Sequence, residues 1–281
     1  MQARQMSIKV PEITIYFWVI KILCVTVGET AADFIDWNLN VGLTNTTIIM
    51  GILLALSLFI QFRGKKYVPS IYWISVVLLS IFGTLITDNL TDIFEVPLET
   101  TTIVFSIALA GIFVAWYKTE KTLSIHSIYT TRREAFYWLA IFFTFALGTA
   151  VGDLVAETFD FGYLVTAAIF GAALAVISIA YFKLSLNSVL AFWLAYILTR
   201  PLGASIGDYL AQSPDSGGLG LGTLVTSAIF LIAILAAVIY LTFTKKDTPR
   251  MENAMVAREN KEKKKVRKGE EEEENWRREG R

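Results

Sequence analysis

Eight times along the chain the sequence turns apolar for long enough, as a helix, to cross a hydrocarbon core of about 30 Å. The stretches run at about 13-35, 46-62, 70-91, 100-117, 135-157, 164-182, 186-211 and 223-243. Of the 281 residues, 54% are hydrophobic, and the mean hydropathy is +0.54, well above that of a water-soluble domain of this length. The expected fold is therefore an all-α polytopic membrane protein of eight transmembrane helices. The polar opening, MQARQMSIKVPE, precedes a segment with no small-residue cleavage site, so residues 1-12 read as a retained N-terminus and not as a removable signal peptide.

What the chain lacks narrows the chemistry. Cys24 is the sole cysteine and His126 the sole histidine. An internal disulfide, a thiolate cluster and a paired-histidine zinc site are all excluded within one chain. No enzyme, cofactor or nucleic-acid partner is expected. The net charge is zero, yet the charges are segregated. Arg63, Lys65 and Lys66 follow the second apolar stretch, Lys118, Lys121, Arg132 and Arg133 lie between the fourth and fifth, Lys183 lies between the sixth and seventh, and Lys245 and Lys246 follow the eighth. The opposite connections carry no Lys or Arg, so both termini are expected on the cytoplasmic side. Asp36, Asp92, Glu95, Glu99, Glu157, Asp160 and Asp215 then mark an acidic extracytoplasmic face.

Within this pattern lies a fourfold repeat. Trp18, Gly28 and Asp33 recur at the same spacing as Trp73, Gly83 and Asp88, as Trp138, Gly148 and Asp153, and as Trp193, Gly203 and Asp208. The aspartates are 55, 65 and 55 residues apart, which sets the two halves in register at an offset of 120. Each unit spans two helices, with boundaries at about 13-66, 67-121, 132-184 and 185-246. An even number of helices per unit leaves all four the same way up, related by rotation about the membrane normal.

On these residues the chain resembles bacterial membrane-anchored proteins that carry four tandem copies of a two-helix repeat of unknown function. The resemblance covers residues 12 to 245. It implies the eight-helix architecture and a multi-pass protein of the bacterial inner membrane, and it brings no activity.

The glycines have a packing explanation. Four residues after each stands another small residue, giving Gly28 with Ala32, Gly83 with Thr87, Gly148 with Gly152, and Gly203 with Gly207. This spacing lets helix backbones approach closely in lipid. The tryptophans suit an interfacial belt better than core packing, although either is open. Thr46, Thr101 and Thr166, thirteen residues after their aspartates, with Thr226 as the shifted equivalent, read as caps or first-turn residues of the even-numbered helices.

The aspartates need more explanation, because a helix C-terminus disfavours an anion. Each lies about 140° around the helix from its glycine, and three of the four units present a polar ladder there. The rungs are Glu29 and Asp36 around Asp33, Thr84 and Asp92 around Asp88, Thr149 and Glu157 around Asp153, and Ala204 and Gln212 around Asp208. Arg200 is the one basic residue near enough to pair with Asp153, Glu157 or Asp208 across the bundle. Clustered carboxylates repel, so those left unpaired are neutral, solvated or bound to a mobile cation, and oxygen donors suit Mg, Ca or Mn. The expectation is a transporter or permease for a small cation, either a divalent metal or a proton-coupled cationic solute. Asp33, Asp88, Asp153, Asp208, Glu29, Asp92 and Glu157 would bind the cation, and the alternative is a non-transporting scaffold or sensor in the bilayer. Residues 247-281 form a charged extension, with a basic block from Arg258 to Lys268 followed by five glutamates.

Overall fold

The computed structural model describes residues 8–38 and 41–249, without the side chains of residues 37 and 38. The charged extension beyond residue 249 and the first seven residues lie outside the described part. Eight long helices follow one another: α1 (Ile15–Asp33), α2 (Leu43–Arg63), α3 (Pro69–Asp88), α4 (Leu98–Glu120), α5 (Thr131–Asp153), α6 (Gly162–Leu184), α7 (Ser188–Ala211) and α8 (Thr223–Thr244), with no strand among the described residues. All eight are long and apolar enough to cross a membrane. Local signals set several starts. Pro69 opens α3, where its missing N–H costs nothing. The Asn187 side chain accepts from the N–H groups of Val189 and Leu190 at 3.0 and 3.2 Å to open α7.

The odd-numbered helices form a closed ring in which α1 packs on α3, α3 on α5, α5 on α7, and α7 back on α1. Each even-numbered helix lies outside, packed on the ring helix that follows it: α2 on α3, α4 on α5, α6 on α7, and α8 on α1. In the spanning stretches of the ring helices 61–67% of residues are buried, against 11–28% in the outer helices. The outer helices display Ile48, Ile52, Leu56, Ile107, Val176, Ile232 and Leu235, each more than half exposed. Water would not tolerate such a continuous apolar face, but lipid does.

The repeated glycines make the ring close head to tail. A Cβ on Gly28 would overlap Ser80 of α3, one on Gly83 would sit 2.9 Å from the Phe145 Cβ of α5, one on Gly148 would overlap Arg200 of α7, and one on Gly203 would sit 2.6 Å from a Val25 methyl of α1. Every ring contact therefore depends on a missing side chain. Gly152 lies against Pro201, and Gly207 lies against the Thr26 carbonyl and Thr30.

At the opposite end of the ring the tryptophans depart from the interfacial belt favoured by the sequence. Trp73, Trp138 and Trp193 are buried, and Trp18 is half-buried, edge-on to Phe17 with centroids 5.2 Å apart. With Phe17, Tyr72, Tyr137, Phe192 and Tyr196 they form one connected aromatic layer. The reason is geometric: with no glycine at this level the backbones cannot close on one another, and large rings fill the space between them. The threonines are first-turn residues and not caps. The residues preceding the even helices are Gly42, Pro97, Phe161 and Gly222; Thr46, Thr101 and Thr226 are the fourth residues of their helices and Thr166 the fifth of its own, and all four are buried.

Below the aromatic layer the Trp end is shut. Residues 8–11 are buried. Lys9 pairs with Glu134 at 2.7 Å and donates to the Phe62 carbonyl at 2.9 Å, while the Gln61 amide donates to Glu134 and to the Lys9 carbonyl, both at 3.2 Å. The Glu12 N–H donates to the Asp247 carbonyl at 2.8 Å, and the Tyr67 hydroxyl donates a short bond to the Asp247 carboxylate. The segments that precede α1 and follow α8 are thus strapped across one mouth of the ring.

Candidate functional site

The other mouth is open, and the four aspartates stand in it. Asp33, Asp88 and Asp153 are the last α-helical residues before π turns at Phe34–Asn38, Asn89–Ile93 and Leu154–Thr158. The helices therefore continue past the acids, and Asp36, Asp92 and Glu157 ride on the added turns. A π turn widens the helix by one residue and exposes backbone, a departure that concentrates at functional sites. The fourth aspartate, Asp208, lies inside α7 with no π turn after it.

All four aspartates line a single cavity of about 160 Å³. Its walls also carry Glu29, Asp36, Asp92, Glu157, Gln212, Thr91 and Tyr163. The structure thus brings together every carboxylate that the ladder contains. Glu29, Asp153 and Asp208 come closest, each offering one oxygen within 4.8 Å of the other two. Asp208 is 8% exposed and Glu29 6%, so these two stand at the enclosed floor, whereas Asp92 and Glu157 are exposed at the rim.

The floor itself is Arg200, which is fully buried. Its guanidinium pairs with Glu29 at 3.1 Å. It also donates to the carbonyls of Val25 at 3.1 Å and Phe145 at 3.3 Å, to the Thr149 hydroxyl at 2.7 Å, and through a short bond to the Thr84 hydroxyl. Thr84 in turn donates to Glu29 at 3.2 Å. The expected partners Asp153, Glu157 and Asp208 are not the ones it takes. Arg200 precedes Asp208 by two helical turns, so its guanidinium reaches the level of Glu29, Thr84 and Thr149, four residues before each repeat aspartate. Beneath it lies Lys21, also fully buried, which donates to the Tyr196 carbonyl at 3.0 Å and to the Thr199 hydroxyl at 2.5 Å. The Lys21 ammonium sits 4.0 Å from the Tyr196 ring centre, and both cations lie over the Phe145 ring.

Sequence reasoning missed Thr91, Tyr163 and the Arg200–Glu29 pairing. Thr91 could have been found, because it follows Asp88 by three residues, as Asp36 follows Asp33. Tyr163 comes from the first turn of the outer helix α6 and carries no repeat signal; it approaches Glu157 at 3.5 Å.

The ring, its outer helices and the shared acidic mouth define a membrane protein of four pseudo-equivalent two-helix units. Family comparison is consistent with that class. The chain belongs to the family described as Repeat of Unknown Function (DUF347), which matches residues 16–67, 71–122, 136–185 and 191–247, one match for each two-helix unit. No curated protein and no solved structure matches the chain.

Proposed function

We propose that the protein carries a small cation across the membrane, with the acidic mouth as the extracytoplasmic access of its pathway. The observation that carries this reading is the meeting of four repeat-equivalent aspartates and Glu29 in one cavity at the end of a closed helix ring. Desolvating carboxylates is costly, and holding five together is costlier still unless a cation compensates them. A cavity of about 160 Å³ has room for an ion with several waters and little room for a bulky solute. That favours an inorganic cation over a larger cationic solute.

The conformation fits one state of an alternating cycle, open at the Asp end and strapped shut at the Trp end. Pro201, inside α7 and next to Arg200, supplies no N–H to the helix ladder, which gives a bending point beside the floor of the cavity. The basic residues collected at the Trp end support a cytoplasmic setting for that side, and the setting proposed is the inner membrane of a bacterium. The reading is tested by reconstituting the full chain in liposomes and following Mn, Mg, Ca and proton fluxes. Wild type should exceed empty vesicles, and Asp153→Asn should fall toward them. Flux no greater than in empty vesicles for every ion would sink the proposal.

A further inference from the structure

Three carboxylates within mutual reach do not by themselves make a metal site. Two further features of this floor point to a ligand. Asp208 is more than nine-tenths buried and faces the cavity, yet its carboxylate has no hydrogen-bond donor and no ion-pair partner among the described residues. Glu29 does have a cation, Arg200, but that guanidinium keeps four neutral acceptors, in Val25, Phe145, Thr84 and Thr149, if Glu29 leaves it.

We propose that Glu29, Asp153 and Asp208 form a binding site for one divalent cation of the hard, oxygen-preferring class, and that Arg200 is a tethered competitor which yields Glu29 when the ion arrives. Geometry and charge agree on this. Three oxygens within 4.8 Å of one another leave a central point about 2.8 Å or less from each, close to the 2.3–2.6 Å of calcium–oxygen contacts and within a small side-chain shift of the shorter magnesium ones. Ionised as ligands, the three carboxylates together with the one guanidinium carry −2, which a divalent ion neutralises and a monovalent ion does not. Oxygen donors alone, with the chain's single histidine and cysteine both outside this cavity, select against zinc and copper. Handing Glu29 from Arg200 to the ion also reports occupancy to α7 one residue before Pro201, and so couples binding to the helix that bends. The proposal deepens the transport reading and rests on it for its cargo, but not for the existence of the site.

The test is Mn²⁺ binding to the full-length protein in detergent, followed by the electron paramagnetic resonance signal of free Mn²⁺. The wild type should hold one ion tightly, displaced by Ca²⁺ or Mg²⁺ and not by a roughly hundredfold excess of Na⁺. Asp153→Asn, Asp208→Asn and Glu29→Gln should each weaken it by about tenfold or more, whereas Asp215→Asn, on an exposed loop, should not. Arg200→Gln should tighten binding by removing the competitor. If that variant does not fold, the Asp153 and Asp208 substitutions decide whether the site exists. Wild-type binding no stronger than in the Asp153→Asn/Asp208→Asn double variant, or displacement by an equal amount of Na⁺, overturns the site. A site confirmed by binding in a protein that shows no liposome flux would leave the site standing and remove transport. Flux without this binding would do the reverse.

Discussion

The two ends of the helix ring use the same fourfold repetition in opposite ways. At the Trp end every unit contributes a large ring, the space is filled, and the segments flanking the helices are strapped over the mouth. At the Asp end every unit contributes a small carboxylate, the space stays hollow, and the mouth is open. Symmetric residues build both ends, but the charges that give the Asp end its floor are not symmetric. Four residues before the aspartates stand Glu29, Thr84, Thr149 and Ala204, and eight before them stand Val25, Ser80, Phe145 and Arg200. Repetition makes the ring, and the single Glu29 and single Arg200 give it one site in place of four.

The largest effect should come from breaking that asymmetric floor. Arg200→Met strands Glu29 as a buried, uncompensated charge and should cost about 3–5 kcal/mol in thermal unfolding. Glu29→Gln in the same chain should restore much of the loss, because the two changes are coupled and not additive. At the filled end, Trp73→Ala should cost about 3 kcal/mol through the cavity it leaves, with Mn²⁺ affinity unchanged. A loss of affinity there would mean that the two ends are not separable. The glycine contact between them is next: Gly203→Ala should cost about 1–3 kcal/mol, since its Cβ would meet Val25, whereas Gly171→Ala, with only a Leu202 methyl at 3.8 Å, should be nearly neutral.

The smallest effect is one of pH on the strap. Burial holds the Asp247 carboxyl above the usual carboxylate range, with the Tyr67 hydroxyl drawing it back only in part. A carboxyl raised on docking stabilises the docked form fully below its undocked value, near 4, and loses that contribution as pH rises through the docked value. Hydrogen exchange at residues 8–12 should therefore quicken as pH rises from about 4, beyond the intrinsic dependence of exchange, and Asp247→Asn should flatten the excess.

The repeat and the small-residue spacing showed in the sequence because both are periodic, and periodicity survives without coordinates. Gly28, Gly83, Gly148 and Gly203 were readable as packing residues for that reason. The π turns left no such mark: a polar rung three or four residues after Asp33, Asp88 or Asp153 fits an α-helix equally well. The partner of Arg200 was hidden because pairing across helices depends on relative height, and two helical turns separate Arg200 from Asp208. Tryptophan identity could not separate a headgroup belt from a filled core, since both want a large ring with one polar atom. The ten extra residues between Asp88 and Asp153 also had no assigned role in sequence. In the fold they bring Leu123, Ser124, Ile125 and His126 to a groove between α1, α6 and α7.

The central claim is that the repeat aspartates face one shared space, and cysteine pairs test it directly. Cys24 is the only native thiol, so Cys24→Ala gives a background free of cysteine. In that background, Asp153→Cys together with Asp208→Cys should bind Cd²⁺ between the two sulfurs, and bound Cd²⁺ should protect both from a water-soluble maleimide. Two cysteines that label independently, with no Cd²⁺ protection, would mean that the acids point apart, and the shared site would be wrong.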